Sequence, residues 1–175
     1  HSIEFGISKN LFKKLKSVSE KSSKFLLSKN NLSGKTSKNV LIIEFDPIQY
    51  QSFFERMPDS KLNFLIYNTR RPAFWNFQSY NLIKRSGCLV ETKNSLSNSN
   101  LKKIILNGKF QMEAKISDLF SRESFFKSFF SIDGISFWST FKEFFQEYFR
   151  KRALKFIEEV EHTKKLMEKY DFSSI

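Results

Sequence analysis

The chain is poor in the residues from which most metal sites and nucleophilic centres are built. Its 175 residues include one cysteine, Cys88, and two histidines, His1 and His162. A lone cysteine excludes an internal disulfide and makes a reducing compartment the simpler expectation. With so few nitrogen and sulfur ligands, a zinc site is all but excluded. No Cys/His or Ser/His nucleophile can be assembled either. Glycine is missing where a cofactor would need it. No Gly-rich loop follows the first apolar run, so a dinucleotide site is not expected. Gly34-Lys35-Thr36 imitates the end of a phosphate-binding P-loop, but that motif needs glycine five residues earlier, where Lys29 stands. The segment also precedes the first strand instead of following one, and it is rejected. No metal and no cofactor are therefore expected. Long apolar runs are absent as well: none approaches the ~20 residues that span a bilayer. Residues 1–10 show no signal-peptide pattern. His1-Ser2 in place of an initiator Met reads as the remnant of a cleaved tag.

Aromatic residues and positive charge are plentiful. Twenty-two Phe supply apolar area for a core, and a net charge of +12 favours polyanionic surroundings. The charge is uneven. Residues 1–38 carry nine Lys against Glu4 and Glu20, a net of +7, whereas residues 136–175 carry only +1. Basicity is mainly a property of the N-terminal arm. Residues 8–28 read as an amphipathic helix, with Leu11, Phe12, Leu15, Val18, Phe25 and Leu26 near the 3.6 period. Lys9, Lys13, Lys14, Lys16, Lys21 and Lys24 fall mostly elsewhere on it. The plain reading is a packed helix with a solvated lysine face. The functional one is a surface that touches an anionic membrane or another polyanion.

The chain is organised around Asn39–Gln49, NVLIIEFDPIQ. Its unalternated apolar run predicts a strand over 39–45 that is buried on both faces, as in a parallel sheet. Asp46 can cap the helix that follows, and Pro47 suits its first turn. That helix is expected over 47–57, a second strand over 62–67, a helix over 75–85 ended by Gly87, and a third strand over 88–91. The pattern βαβαβ implies a small parallel sheet with right-handed crossovers, Rossmann-like and three-layered. Beyond a Ser/Asn loop at 92–100 the character turns helical: 101–120, then 123–131, a turn at Asp133-Gly134, and a long pattern from 137 to 170. The organisation expected is thus a basic helix and loop (1–38), a βαβαβ core (39–100) and a helical excursion (101–175) within one domain. Asp171–Ile175 reads as the turn into a strand that does not arrive, which suggests a piece excised from a longer protein.

In open parallel sheets ligands bind beyond the carboxyl ends of the strands. Those ends are expected to gather Glu44 and Asp46, then Asn68, Arg70 and Arg71 with Trp75, then Glu91. Asp46, Arg70, Arg71, Trp75 and Glu91 are the candidate substrate-binding residues. Guanidinium forks match oxyanions, and an aromatic face packs on sugar rings or cations. The competing reading has Arg70 or Arg71 paired with an acid while Trp75 plugs the sheet. His162, among Glu158, Glu159 and Glu161, reads as part of a solvated face, Cys88 as buried packing, and the Phe120–Phe149 aromatics as core.

At NVLIIEFDPIQYQSFFE, LNFLIYNTRRPAFWN and GISFWSTFKEFF…KFIEEVEHTKKLMEKY the sequence resembles the N-terminal half of GT-B-like glycosyltransferase-type proteins of surface-polysaccharide biosynthesis. The resemblance covers most of 39–175. It implies an acceptor-side domain, with a C-terminal nucleotide-sugar-binding domain as partner and no catalytic residue that transfers to a numbered position; residues 8–28 would let such a cytoplasmic protein rest on a membrane. Two other classes remain open: a basic module that binds nucleic acid, and an interaction or oligomerisation domain built on the 136–170 helix. A nucleic-acid surface should interleave exposed aromatics with clustered Arg. The arm is Lys-rich instead.

Overall fold

The computed structural model describes residues 11, 14, 16–18 and 38–174. Lys9, Lys13, Lys21 and Lys24 lie outside them; Lys14 is exposed, Lys16 half-buried, and both are helical. The chain divides into two compact units, His1–Leu96 with Met167–Ile175, and Ser97–Leu166.

The first unit holds a four-stranded sheet in which the chain's third, second, first and last strands lie side by side in that order. Strand β1 (Lys38–Ile43) pairs in parallel with β2 (Leu62–Tyr67), which pairs in parallel with β3 (Leu89–Glu91). The expected strands and their direction are therefore present. The register runs Lys38↔Leu62 to Ile43↔Tyr67 and Leu65↔Leu89 to Tyr67↔Glu91, so the three strands end level with one another. Val40, Ile42, Phe64, Ile66 and Val90 form one face. They pack with Phe54 and Met57 from helix α1 (Gln51–Arg56) and its 3-10 extension, and with Leu82 and Ile83 from α2 (Phe77–Ser86). On the other face Leu41, Leu65 and Tyr67 are buried too. Burial of both faces is the physical reason for the unalternated run.

The corners follow local chemistry. The Asp46 side chain accepts from Ile48 N at 3.0 Å, so the capping residue opens a turn, and α1 proper begins only at Gln51. Asn76 and Ser79 form a reciprocal capping box at the start of α2, and Gly87 ends it at φ 71°. Cys88 is buried with its Sγ 3.0 Å from Met57 Sδ.

The strand foreshadowed at Asp171 does arrive: β6 (Phe172–Ser174) joins the sheet beside β1, in parallel, with Asn39↔Phe172. Asn39 Nδ2 donates to Asp171 O at 2.7 Å and secures the approach. Glu91 follows Val90, whose side chain faces α1 and α2, so the pleat turns Glu91 to the opposite face.

In the second unit α4 (Ser99–Ser121), α5 (Glu123–Phe129) and α6 (Trp138–Lys169, ending in the first unit) carry the chain, after a short α3 (Lys93–Leu96) in the first. Asn98 caps α4 by accepting from Leu101 N at 2.8 Å. A small hairpin, β4 (Ser131–Ile132) and β5 (Ile135–Ser136), turns at Asp133 and Gly134 with φ 51° and 81°. Helices α4 and α6 run antiparallel: Lys109 pairs with Glu158, Glu113 with Arg150, and Phe120 packs on Phe145 and Phe149. The core is aromatic. Trp138, 0% exposed, stacks on Phe126 at 4.6 Å and Phe130 at 5.5 Å. His162 is buried, with Nδ1 2.7 Å from Glu158 O, which corrects its expected place on a solvated face.

Candidate functional site

At the carboxyl ends of β1 and β2 the backbone takes an unusual shape that side chains hold in place. Glu44, directly after β1, sits at φ 57°, a left-handed conformation that is uncommon outside glycine and asparagine. Its Oε1 accepts from Thr69 N at 2.5 Å, Thr69 Oγ1 at 2.7 Å and Arg70 N at 2.9 Å. One carboxylate thus organises the loop that leaves β2. Burial opposes its charged form, but the bonds from Thr69 and Arg70 and the Arg70 charge outweigh burial and hold the carboxyl below its ordinary value. Lys16 Nζ donates to the Thr69 carbonyl, so a lysine of the basic arm reaches the same loop.

The two arginines have different tasks. Arg71 pairs with Asp46 Oδ2 at 3.2 Å and donates to the Glu44 carbonyl at 3.4 Å, which ties the β2 loop to the β1 loop. Arg70 is exposed. Asn68 is 3% exposed; its Nδ2 donates to Phe45 O at 3.0 Å, while its Oδ1 has no hydrogen-bond partner among the described residues. Trp75 is 51% exposed, with its backbone N–H held by Ser79 Oγ at 3.1 Å. The indole is therefore not a plug inside the sheet.

Glu91 has other partners. Its Oε1 accepts from Lys169 Nζ and Tyr170 Oη, and its Oε2 from Ser95 Oγ. Burial works against the carboxylate, yet the bonds from Lys169, Ser95 and Tyr170 and the Lys169 charge together lower its pKa. Burial and the Glu91 carboxylate push the Tyr170 phenol well above its ordinary value. Of the sequence-derived candidates the structure brings together Asp46 and Arg71, with Arg70 next to them on the Glu44-held loop. Glu91 instead clasps the chain entering β6.

Glu44 organises these strand ends more than the sequence indicated. An acid just before Asp46-Pro47 was visible, but its left-handed backbone and its three donors were not. Among the described residues no group of three or more His, Cys, Asp or Glu stands where it could hold a metal ion. None of the described helices is long and apolar enough to cross a membrane. No protein-family model, no curated protein and no solved structure matches the chain.

Proposed function

We propose that this chain is the acceptor-side domain of a sugar-transferring enzyme of surface polysaccharide or glycoconjugate biosynthesis, with its acceptor site at the carboxyl ends of β1 and β2. The observation that carries the reading is the Thr69–Arg71 loop held on the Glu44 carboxylate, which presents an exposed guanidinium at Arg70. Ligands of open parallel sheets bind at this end of the strands. A three-layer Rossmann-like organisation belongs to the same reading. Arg70 takes a carboxylate or phosphate of the acceptor through a fork of parallel N–H bonds, and the Trp75 ring packs on a sugar face. Arg71 serves by holding Asp46 and the Glu44 carbonyl, so the loop is set before ligand arrives. The nucleotide sugar and the transfer chemistry belong to a separate C-terminal domain. The basic arm keeps the protein peripheral to an anionic membrane on the cytoplasmic side, where each lysine near the surface contributes about 1 kcal/mol.

The test uses the two tryptophans. Trp138 is buried and Trp75 is not, so a change in emission on titration with glucuronic acid or glucose 1-phosphate reports the strand ends. Saturable quenching is expected, and Arg70→Ala should weaken it by about tenfold or more, since a hydrogen bond to a charged group contributes ~1.5–3 kcal/mol. Emission indifferent to both anionic sugars, or equal binding by Arg70→Ala, would sink the proposal.

A further inference from the structure

We propose that the outer face of α6 between Phe144 and Lys155 is a binding surface for single-stranded nucleic acid. Two stacked rings and a guanidinium follow one another there on successive turns of the helix. The rings of Phe144 and Tyr148 lie 6.1 Å apart and 20° from parallel, and the Arg152 guanidinium stands 5.2 Å over the Tyr148 ring. Arg152 Nε also donates to Tyr148 Oη at 3.2 Å, which holds the guanidinium beside the ring. Phe144 is 73% exposed and Tyr148 50%, so this stack is spent on no core. The spacing i, i+4, i+8 is what places the three on one stripe.

Charge accompanies the stack. Arg150, Lys151, Arg152 and Lys155 fall within six residues, all exposed. Arg150 is engaged by Glu113 of α4 and Lys155 by Glu159, while Lys151 and Arg152 have no ion pair among the described residues. Glu147, three residues before Arg150, and Glu158, three after Lys155, are the nearest acids in sequence.

The partner follows from this combination. An acyl surface would want a continuous apolar face, and here Lys151, Arg152 and Lys155 interrupt it. A guanidinium held against an exposed pair of stacked rings suits a nucleobase, whose π-face stacks on aromatics without regard to sequence, while Lys151 meets a phosphate. Exposed aromatics interleaved with clustered Arg are the pattern that the Lys-rich arm lacks. The surface lies in the Ser97–Leu166 unit and shares no residue with the strand-end site, so it stands or falls independently of the sugar reading.

The experiment is fluorescence anisotropy of the whole chain with a labelled oligothymidylate, set against an abasic deoxyribose-phosphate strand of the same length. The arm's lysines attract both strands by charge alone, and the difference between them isolates stacking. Oligothymidylate should bind about tenfold or more tightly than the abasic strand, and Phe144→Ala with Tyr148→Ala should erase that difference without changing the circular dichroism. Arg152→Ala should also reduce the steepness with which affinity falls as salt rises. Equal affinity for the two strands overturns the inference. So does a double variant that binds oligothymidylate as the wild type does, or a preference for polygalacturonate over oligothymidylate.

Discussion

Gly108 of α4 and Ile157 of α6 meet with no room to spare: a Cβ on Gly108 would stand 2.9 Å from Ile157 Cγ2. That methyl sits on a β-branched carbon with little rotational freedom, so it cannot swing aside. Gly108→Ala should gain up to ~1 kcal/mol of helix propensity and lose ~1–3 kcal/mol to overpacking. The net expectation is a loss of about 1 kcal/mol in urea unfolding. Ile157→Ala alone should destabilise, but the pair should be more stable than the sum of the single effects predicts. A Gly108→Ala protein more stable than the wild type would show that the two helices slide apart at little cost.

Replacing Glu44 separates its backbone role from its side-chain role. Glu44→Gly loses the three accepted bonds but relieves the left-handed backbone, whereas Glu44→Ala loses the bonds and keeps the strain. Alanine should therefore be the less stable of the two by ~1–2 kcal/mol. Chemical denaturation gives the order directly, and alanine equal to or above glycine would mean the positive φ is unstrained.

The Glu91 clasp sets a pH dependence with a definite sign. Its pKa is lowered on folding, so the unfolded chain takes up the proton first as pH falls. The stabilisation is complete above the ordinary value of 4.5 and is lost as pH drops through the lower folded value. Glu44 titrates in the same direction. Urea midpoints followed from neutral pH to about pH 3 should fall less steeply in Glu91→Gln than in the wild type. Parallel pH profiles would remove Glu91 as a contributor.

Cys88 should resist alkylation in the native protein. Burial raises its thiol to about 11, and the side chain is sealed against Met57. Only the thiolate reacts, so labelling by iodoacetamide should track global unfolding in urea. Rapid modification without denaturant would place a local opening at the start of β3.

The sheet was legible because its strands are buried on both faces, which leaves an unbroken run of Val, Leu and Ile that no amphipathic helix shows. Gly87 was legible for a similar reason, since a positive φ after a helix asks for glycine. The site was half legible. Strand ends can be counted in sequence, so Asp46, Arg70 and Arg71 fell near one another. The direction of a side chain at a strand's last residue depends on pleat and register, and this sent Glu91 to Lys169 and Tyr170. Phe misled in the helical part. Its spacing suggested core throughout, yet Phe126 is enclosed while Phe144, on an equally helical pattern, faces water. Periodicity identifies a stripe but not what the stripe meets.

The sheet order has a consequence for how the protein is made. The strand beside β1 consists of residues 172–174, so the seventy residues of Ser97–Leu166 must be synthesised before the sheet is complete. At ~5–20 residues per second the β1 edge waits on the order of ten seconds after its own emergence from the ribosome. During that interval its backbone N–H and C=O groups on one side are open to any extended chain nearby. Birth order, rather than final stability, sets the period in which this protein is most exposed to misassembly.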